Sequence, residues 1–316
     1  MRLPLTPATA TSRAIDVVAV GENSLDLVAL APAFPEPGGK VRLRGLSHQP
    51  GGQVASAAAA LATLGWRTAY IGRFGADEAG AAGIASLERT GVNCTHVVRV
   101  EGAASRSAIV IVDERSGDRT VLWEQDPGLA LESGDVPEAI LASARVLLVD
   151  DFGAAAVEVA TRARHADVRT IIDVEQPRPG LEDLLRVMDV IVTAEAFPEA
   201  FTGETGLGRA LATLETATGA AMVCTTLGPG GSLARIGGRE VRTPAFPVPI
   251  VDTTGAGDLF RAGFIAGWLG GAASVEAVLR RANAVAALGC QGLGARGHLP
   301  TPAEVDALLR TTGAPT

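Results

Sequence analysis

The run "IVDTTGAGDLFRAGF" (250–264) holds the most telling chemistry in this chain: Gly255, Ala256 and Gly257 stand directly before an acid, Asp258, and an apolar run at helical spacing follows. A turn of small residues that opens a helix leaves backbone N–H groups pointing outward, and with the helix dipole these bind an anion. A carboxylate at the same place can take a proton from an attacking hydroxyl while the N–H groups hold charge on a phosphoryl group in transit. The helix N-terminus is expected to keep Asp258 ionised and therefore a weak base. The plainer alternative is that Asp258 only caps the helix.

Other acids and glycines fall at comparable places. Asp26 follows an apolar run ending at Gly21, and Asp150 and Asp151 end another. "QPGGQVASAA" (49–58) sets a Gly pair before an Ala-rich helical pattern, and "TTLGPGGSLA" (225–234) is a Gly-rich turn after a β-type run. No GxxxxGK[ST] run occurs, which excludes a P-loop. "GLGARG" (292–297) matches GxGxxG, but too little chain follows it to complete a βαβ unit. The 4 His and 3 Cys are scattered without metal-ligand spacing, as expected of reduced thiols.

The elements that must position these residues can be read from the periodicity. Short apolar runs at 15–21, 68–75, 146–151, 170–175, 189–195 and 221–228 read as strands, and helical patterns at 54–65, 79–91, 154–166, 207–219, 258–269, 274–289 and 301–310 alternate with most of them. Such alternation predicts an α/β fold: a doubly wound, mostly parallel sheet with helices on both faces. Segments 27–50 and 95–125 break the alternation with β-type runs and are expected to form a small separate sheet, a lid. The chain has 316 residues, 47% of them hydrophobic and 20% charged, enough for a sizeable core. A net charge of −8 argues against nucleic acid or an anionic membrane as partner. The N-terminal 14 residues lack an apolar core of the signal-peptide kind, so a cytoplasmic protein with short flexible tails at 1–14 and 312–316 is expected.

These residues resemble the PfkB (ribokinase-like) family of carbohydrate kinases. "VDTTGAGDLF" (251–260) is similar to the family's second signature, "PGGQVASAAAALATLGWRTAYIGRFGAD" (50–77) to its first, and "TLGPGG" (226–231) to its nucleotide-loop motif. The resemblance runs from about 15 to 311. It implies a single ribokinase-like domain carrying the β lid, and Mg2+-ATP-dependent phosphorylation of a sugar hydroxyl, typically primary. Asp258 would be the base and Gly255, Ala256 and Gly257 the anion hole. Asp26, Gly51, Gly52 and Gln53 would contact the sugar. Thr226, Gly228 and Gly231 would lie near ATP and Asn283 near the adenine. A monovalent cation, K+, would sit near Asp252.

The chain departs from the family pattern in two places. Ser56 stands where the first signature carries Asn. The Asn-x-x-Glu motif linked to magnesium falls at Ala194 to Phe197 without either polar residue, which turns attention to Asp173 or Glu175 as metal contacts. "DVEQPRPGLEDLL" (173–185) resembles the ketohexose- and sulfofructose-kinase branch. Asp150 and Asp151 are expected to repel an anionic sugar, which favours a neutral ketose or polyol. Lys40 and Arg106 in the lid segments argue the other way. A nucleoside kinase of the same fold and a non-catalytic binding descendant are the alternatives, and pairing of two chains through the lid is expected.

Overall fold

The computed structural model describes residues 13–311. Its strands are β1 (Ile15–Val20), β2 (Ser24–Ala31), β3 (Gly45–Gly51), β4 (Thr68–Ile71), β5 (Arg73–Gly75), β6 (Val98–Val100), β7 (Ser107–Asp113), β8 (Arg119–Glu124), β9 (Ala144–Val149), β10 (Arg169–Val174), β11 (Val190–Thr193), β12 (Met222–Thr226), β13 (Ser232–Ile236) and β14 (Arg239–Thr243). Its α-helices are α1 (Gln53–Thr63), α2 (Glu78–Glu88), α3 (Glu138–Ala142), α4 (Ala154–His165), α5 (Leu181–Leu185), α6 (Phe197–Thr202), α7 (Leu207–Thr218), α8 (Ala256–Leu269), α9 (Val275–Gly289) and α10 (Pro302–Thr311).

The eight-stranded sheet runs β14-β13-β12-β11-β10-β9-β1-β4. Pairing from β12 through β4 is parallel, and β13 and β14 add an antiparallel edge. The parallel strands are apolar on both faces because helices cover both. Along β1, Val17 and Ala19 join one core with α1, α8 and α9, while Val18 and Val20 join the other with α4, α5 and α7. Small residues set the helix spacing: a Cβ on Gly263 of α8 would come within 2.8 Å of the Ala282 Cα of α9, so these helices meet nearly backbone to backbone.

The predicted lid is a four-stranded sheet, β3-β2-β7-β8. It begins slightly earlier than the periodicity suggested, at Ser24, because the chain passes from the main sheet into the lid within the three residues after Val20. Val98–Val100, expected in the lid, instead pairs with β5 in a two-stranded sheet. All parallel strands present their carboxyl ends at one edge. There β1 and β9 are neighbours, while their following connections diverge into the lid and into α4, a switch point of the kind where open α/β sheets bind ligands.

Candidate active site

The turn before α8 has the geometry an anion hole requires. Gly255 is the N-cap at φ 78°, a left-handed conformation that favours glycine, and a Cβ there would also lie within 2.8 Å of the Ala295 backbone. Asp252 organises the turn: its Oδ1 accepts from the Thr254 N–H at 2.8 Å and hydroxyl at 2.6 Å, and its Oδ2 accepts from the Gly294 N–H at 2.8 Å. Both oxygens are thus engaged in joining the 252–255 turn to the 292–297 loop, and a cation beside Asp252 would not find this carboxylate unoccupied. Ala256 donates its N–H to the Thr253 carbonyl at 3.2 Å. Among the described residues the N–H groups of Gly255, Gly257 and Asp258 have no such partner, so these are the unengaged donors of the turn.

Asp258 is not the cap. It sits in the first turn of α8, buried, with its side chain ion-paired to Arg261 one helical turn on. Arg261 is fully buried and faces two more acids from the strand ends, Asp150 at 3.6 Å and Asp173 at 3.5 Å. Burial pushes Asp258 up to about 7, against the pull of Arg261 and with further pushes from Asp173, Asp150 and Glu175. Loss of water and the neighbouring carboxylates act against the helix start, which by itself favours a weakly basic, ionised acid. Asp150 is likewise raised to about 7, chiefly by burial.

On the expected sugar side, Asp26 lies buried on β2 against the Gly pair that begins the first signature motif. A Cβ on Gly51 would come within 2.1 Å of its Oδ2, so only glycine admits the carboxylate there. Its Oδ1 is buried with no hydrogen-bond partner, an acceptor waiting for a donor. Gly52 turns at φ 88° against the Asn23 backbone, and Gln53 bonds the Glu175 carboxylate at 2.8 Å, tying the start of α1 to the end of β10.

Beside this lies a cavity of about 390 Å³ lined by Glu22, Asn23, Arg73, Arg106, Asp151 and Arg178, among others. It separates the two acids that sequence reading put together: Asp151 lines the cavity, ion-paired with Arg178, whereas Asp150 lies beneath, accepting from the Glu22 N–H and facing Arg261. Each acid has a guanidinium partner, so the expected repulsion of an anionic substrate loses its basis. Arg106 lines the cavity, paired with Glu22 at 3.1 Å and stacked 4.9 Å from the Trp123 ring centre; Lys40 stands exposed on the β2–β3 loop and is not part of the lining.

Ser56 faces the protein interior. It is fully buried and accepts from Arg296, whose other two nitrogens donate to the Ser86 hydroxyl at 2.8 Å and the Gly51 carbonyl at 2.7 Å. Arg261 and Arg296 are the site residues that sequence reasoning missed. The signals were present: Arg261 follows Asp258 by one helical turn, and Arg296 lies in the "GLGARG" run set aside as a failed dinucleotide motif.

On the expected nucleotide side, Thr226 ends β12, Gly228 opens an exposed 3-10 turn, and Gly231 turns at φ 86° where a Cβ would clash with the Thr243 carbonyl at 2.0 Å. Asn283 does not face outward. It is buried, and its amide nitrogen donates to the Thr243 hydroxyl at 2.9 Å and the Pro244 carbonyl at 3.0 Å, anchoring that segment to α9. Among the described residues no group of three or more His, Cys, Asp or Glu is arranged to hold a metal ion, and Glu175 accepts a hydrogen bond from Gln53.

An acid over unpaired N–H groups at the switch point of a doubly wound sheet defines a phosphotransferase-type site. A model of the pfkB family of carbohydrate kinases matches residues 14–302, and the chain belongs to that family. It is 29% identical over 301 residues to the ribokinase of Bacillus subtilis, covering 93% of this chain and 99% of that one. It is 30% identical over 306 residues to the ATP-dependent ribose-1-phosphate kinase of Halopiger xanaduensis, covering 93% and 98%. The structure of Arabidopsis thaliana ribokinase complexed with ribose and ATP superposes with a TM-score of 0.78 at 26% identity, covering 94% of this chain and 99% of that one. The protein is therefore an ATP-dependent carbohydrate kinase. No helix among the described residues is long and apolar enough to cross a membrane.

Proposed function

We propose that the protein transfers the γ-phosphoryl group of ATP to a hydroxyl, a primary one, of a ribose-like or ketose sugar. Asp258 takes the proton of the attacking hydroxyl. The N–H groups of Gly255, Gly257 and Asp258 hold the charge that builds on the transferred group. Asp26 accepts a hydrogen bond from a second hydroxyl and so orients the sugar. The observation that carries this reading is the pairing of a base raised to about 7 with a turn of unengaged N–H donors. Magnesium would arrive with the nucleotide phosphates and neutralise their charge; no residue is assigned to it.

A sugar phosphate is the second reading of the acceptor. It is favoured by the guanidinium groups of Arg73, Arg106 and Arg178 around the cavity. Against it, each is already matched by a carboxylate: Asp135, Glu22 and Asp151 respectively.

The test is ADP release with Mg2+-ATP across ribose, fructose, tagatose, 2-keto-3-deoxygluconate, ribose 1-phosphate and several nucleosides. Asp258→Asn is expected to lower kcat by about 10²–10⁴-fold with KM little changed. A near-wild-type rate in that variant would remove Asp258 from the chemistry. Turnover of the phosphorylated sugar alone would select the second reading, and turnover of nucleosides alone would make the acceptor a nucleoside.

A further inference from the structure

The four-member charge cluster under the anion hole contains one more group than the transfer reaction requires. Arg261 is fully buried, and its Nε and Nη1 have no hydrogen-bond partner; neither has the buried Oδ1 of Asp150 facing it. A buried ion pair kept for stability is expected to satisfy its donors and acceptors, since loss of water otherwise outweighs the Coulomb gain. Here three carboxylates surround one guanidinium, and only the Asp258 contact is a hydrogen bond.

We propose that Arg261 is a positioning residue for the base: braced between Asp150 at the end of β9 and Asp173 on β10, it holds Asp258 in its charged form and aimed into the turn. The proposal rests on the reading of Asp258 as the base. Gly21 permits the brace, because a Cβ there would lie 2.5 Å from the Asp150 carboxylate. The Asp150 Oδ2 is fixed from the other side by the Glu22 N–H at 2.9 Å, so Asp150 cannot swing away from Arg261 without losing that bond. The bracing carboxylates come from strands and the base from a helix, so the position of Asp258 is tied to the sheet edge on which the acceptor rests.

The charged groups that act on Asp258 are Arg261 on its own helix, Asp150 and Asp173 from the strand ends, Glu175 beyond β10, and Arg296 from the C-terminal loop. Removal of Arg261 leaves three acids facing one another, so Asp258 takes up its proton at higher pH. Removal of Asp173 has the opposite sign.

The experiment is the pH profile of sugar kcat/KM for wild type, Arg261→Met, Arg261→Lys and Asp173→Asn, paired with the titration of the Asp258 carboxyl by 13C NMR, assigned by its absence in Asp258→Asn. Wild-type activity is expected to rise with pH to a plateau above about 7. The Arg261→Met limb is expected about one pH unit higher, so that the variant loses roughly tenfold more activity at pH 6.5 than at pH 8.5. Arg261→Lys keeps the charge and should keep the limb, with a lower plateau from the lost fork geometry. Asp173→Asn should move the limb down.

An Arg261→Met variant slowed equally at every pH, with the Asp258 titration unmoved, would overturn the proposal and leave Arg261 a packing residue. If Arg261→Met does not fold, the same comparison is made in an Asp150→Asn background, where one acid fewer faces the gap. A wild type without turnover on any acceptor of the panel but with the carboxyl titration displaced in Arg261→Met would remove the proposed acceptors and leave the coupling standing.

Discussion

At the scale of single residues, the site is built from groups whose neighbours decide their chemistry. Asp258 and Asp252 lie six positions apart in one motif, yet Asp252 accepts from two backbone N–H groups and a hydroxyl while Asp258 has only a guanidinium. The first therefore shapes the turn and the second remains available to a proton. Arg296 does for the acceptor side what Asp252 does for the turn. Its three donors hold the Gly51 carbonyl, Ser56 and Ser86, and desolvation pulls its pKa down to about 10 without costing it the charge at neutral pH. Arg296→Met would leave these acceptors without a partner. Equilibrium unfolding in urea should show a loss of about 1–3 kcal/mol, and KM for the sugar should rise more than kcat falls, because the group anchors the Gly pair that admits Asp26. Equal thermal and urea stability with unchanged KM would remove Arg296 from this role.

At the scale of elements, helix α8 is placed by contacts at two points: Gly255 against Ala295 at its start and Gly263 against Ala282 in its middle. The helix cannot shift along its axis without a clash, which keeps Asp258 at a fixed height over the sheet edge. Gly255→Ala adds strain at a positive φ to a Cβ packed within 3 Å of backbone atoms. Unfolding free energy should fall by about 2–4 kcal/mol, and residual activity should fall further than stability, since the turn itself must move. A variant as active and stable as wild type would show that the loops can separate.

The lid shows the same division of labour between faces. Residues paired across β2, β7 and β8 share a face, so Val28, Val110 and Val121 look one way and Leu27, Ile109 and Leu122 the other. The first face also carries Asp26, and with it Trp123, exposed beside Arg106, a residue that sequence reading passed over.

At the scale of the whole molecule, the other lid face is apolar and exposed: Leu46 is 59%, Ile109 48% and Leu122 57% accessible. Strand β8 is exposed at every residue. An apolar sheet face with an open edge is a surface that another chain covers. We propose a homodimer through this face. Sedimentation at micromolar concentration should give a dimer for wild type and a monomer for Ile109→Lys with Leu122→Glu, and a monomeric wild type would refute the pairing.

Much of this architecture was legible before any coordinates, for a local reason. Alternating strand and helix periodicity, glycines at turns, and the small residues before Asp258 are properties of neighbours in the chain, and they were enough to predict the doubly wound sheet and the lid and to single out the turn before α8. Which N–H groups are unengaged, that Ser56 and Asn283 point inward, that Asp150 and Asp151 part company, and that Arg261 and Arg296 belong to the site depend on contacts between residues distant in sequence, such as Arg296 with Ser56. The basicity of Asp258 is the clearest case. The helix start read from sequence argues for a weak base, whereas burial and the acids from two strands, brought together only by the fold, argue for a stronger one. Sequence determined which chemical groups were available; packing decided the surroundings of each, because desolvation and charge proximity exist only once the chain has folded.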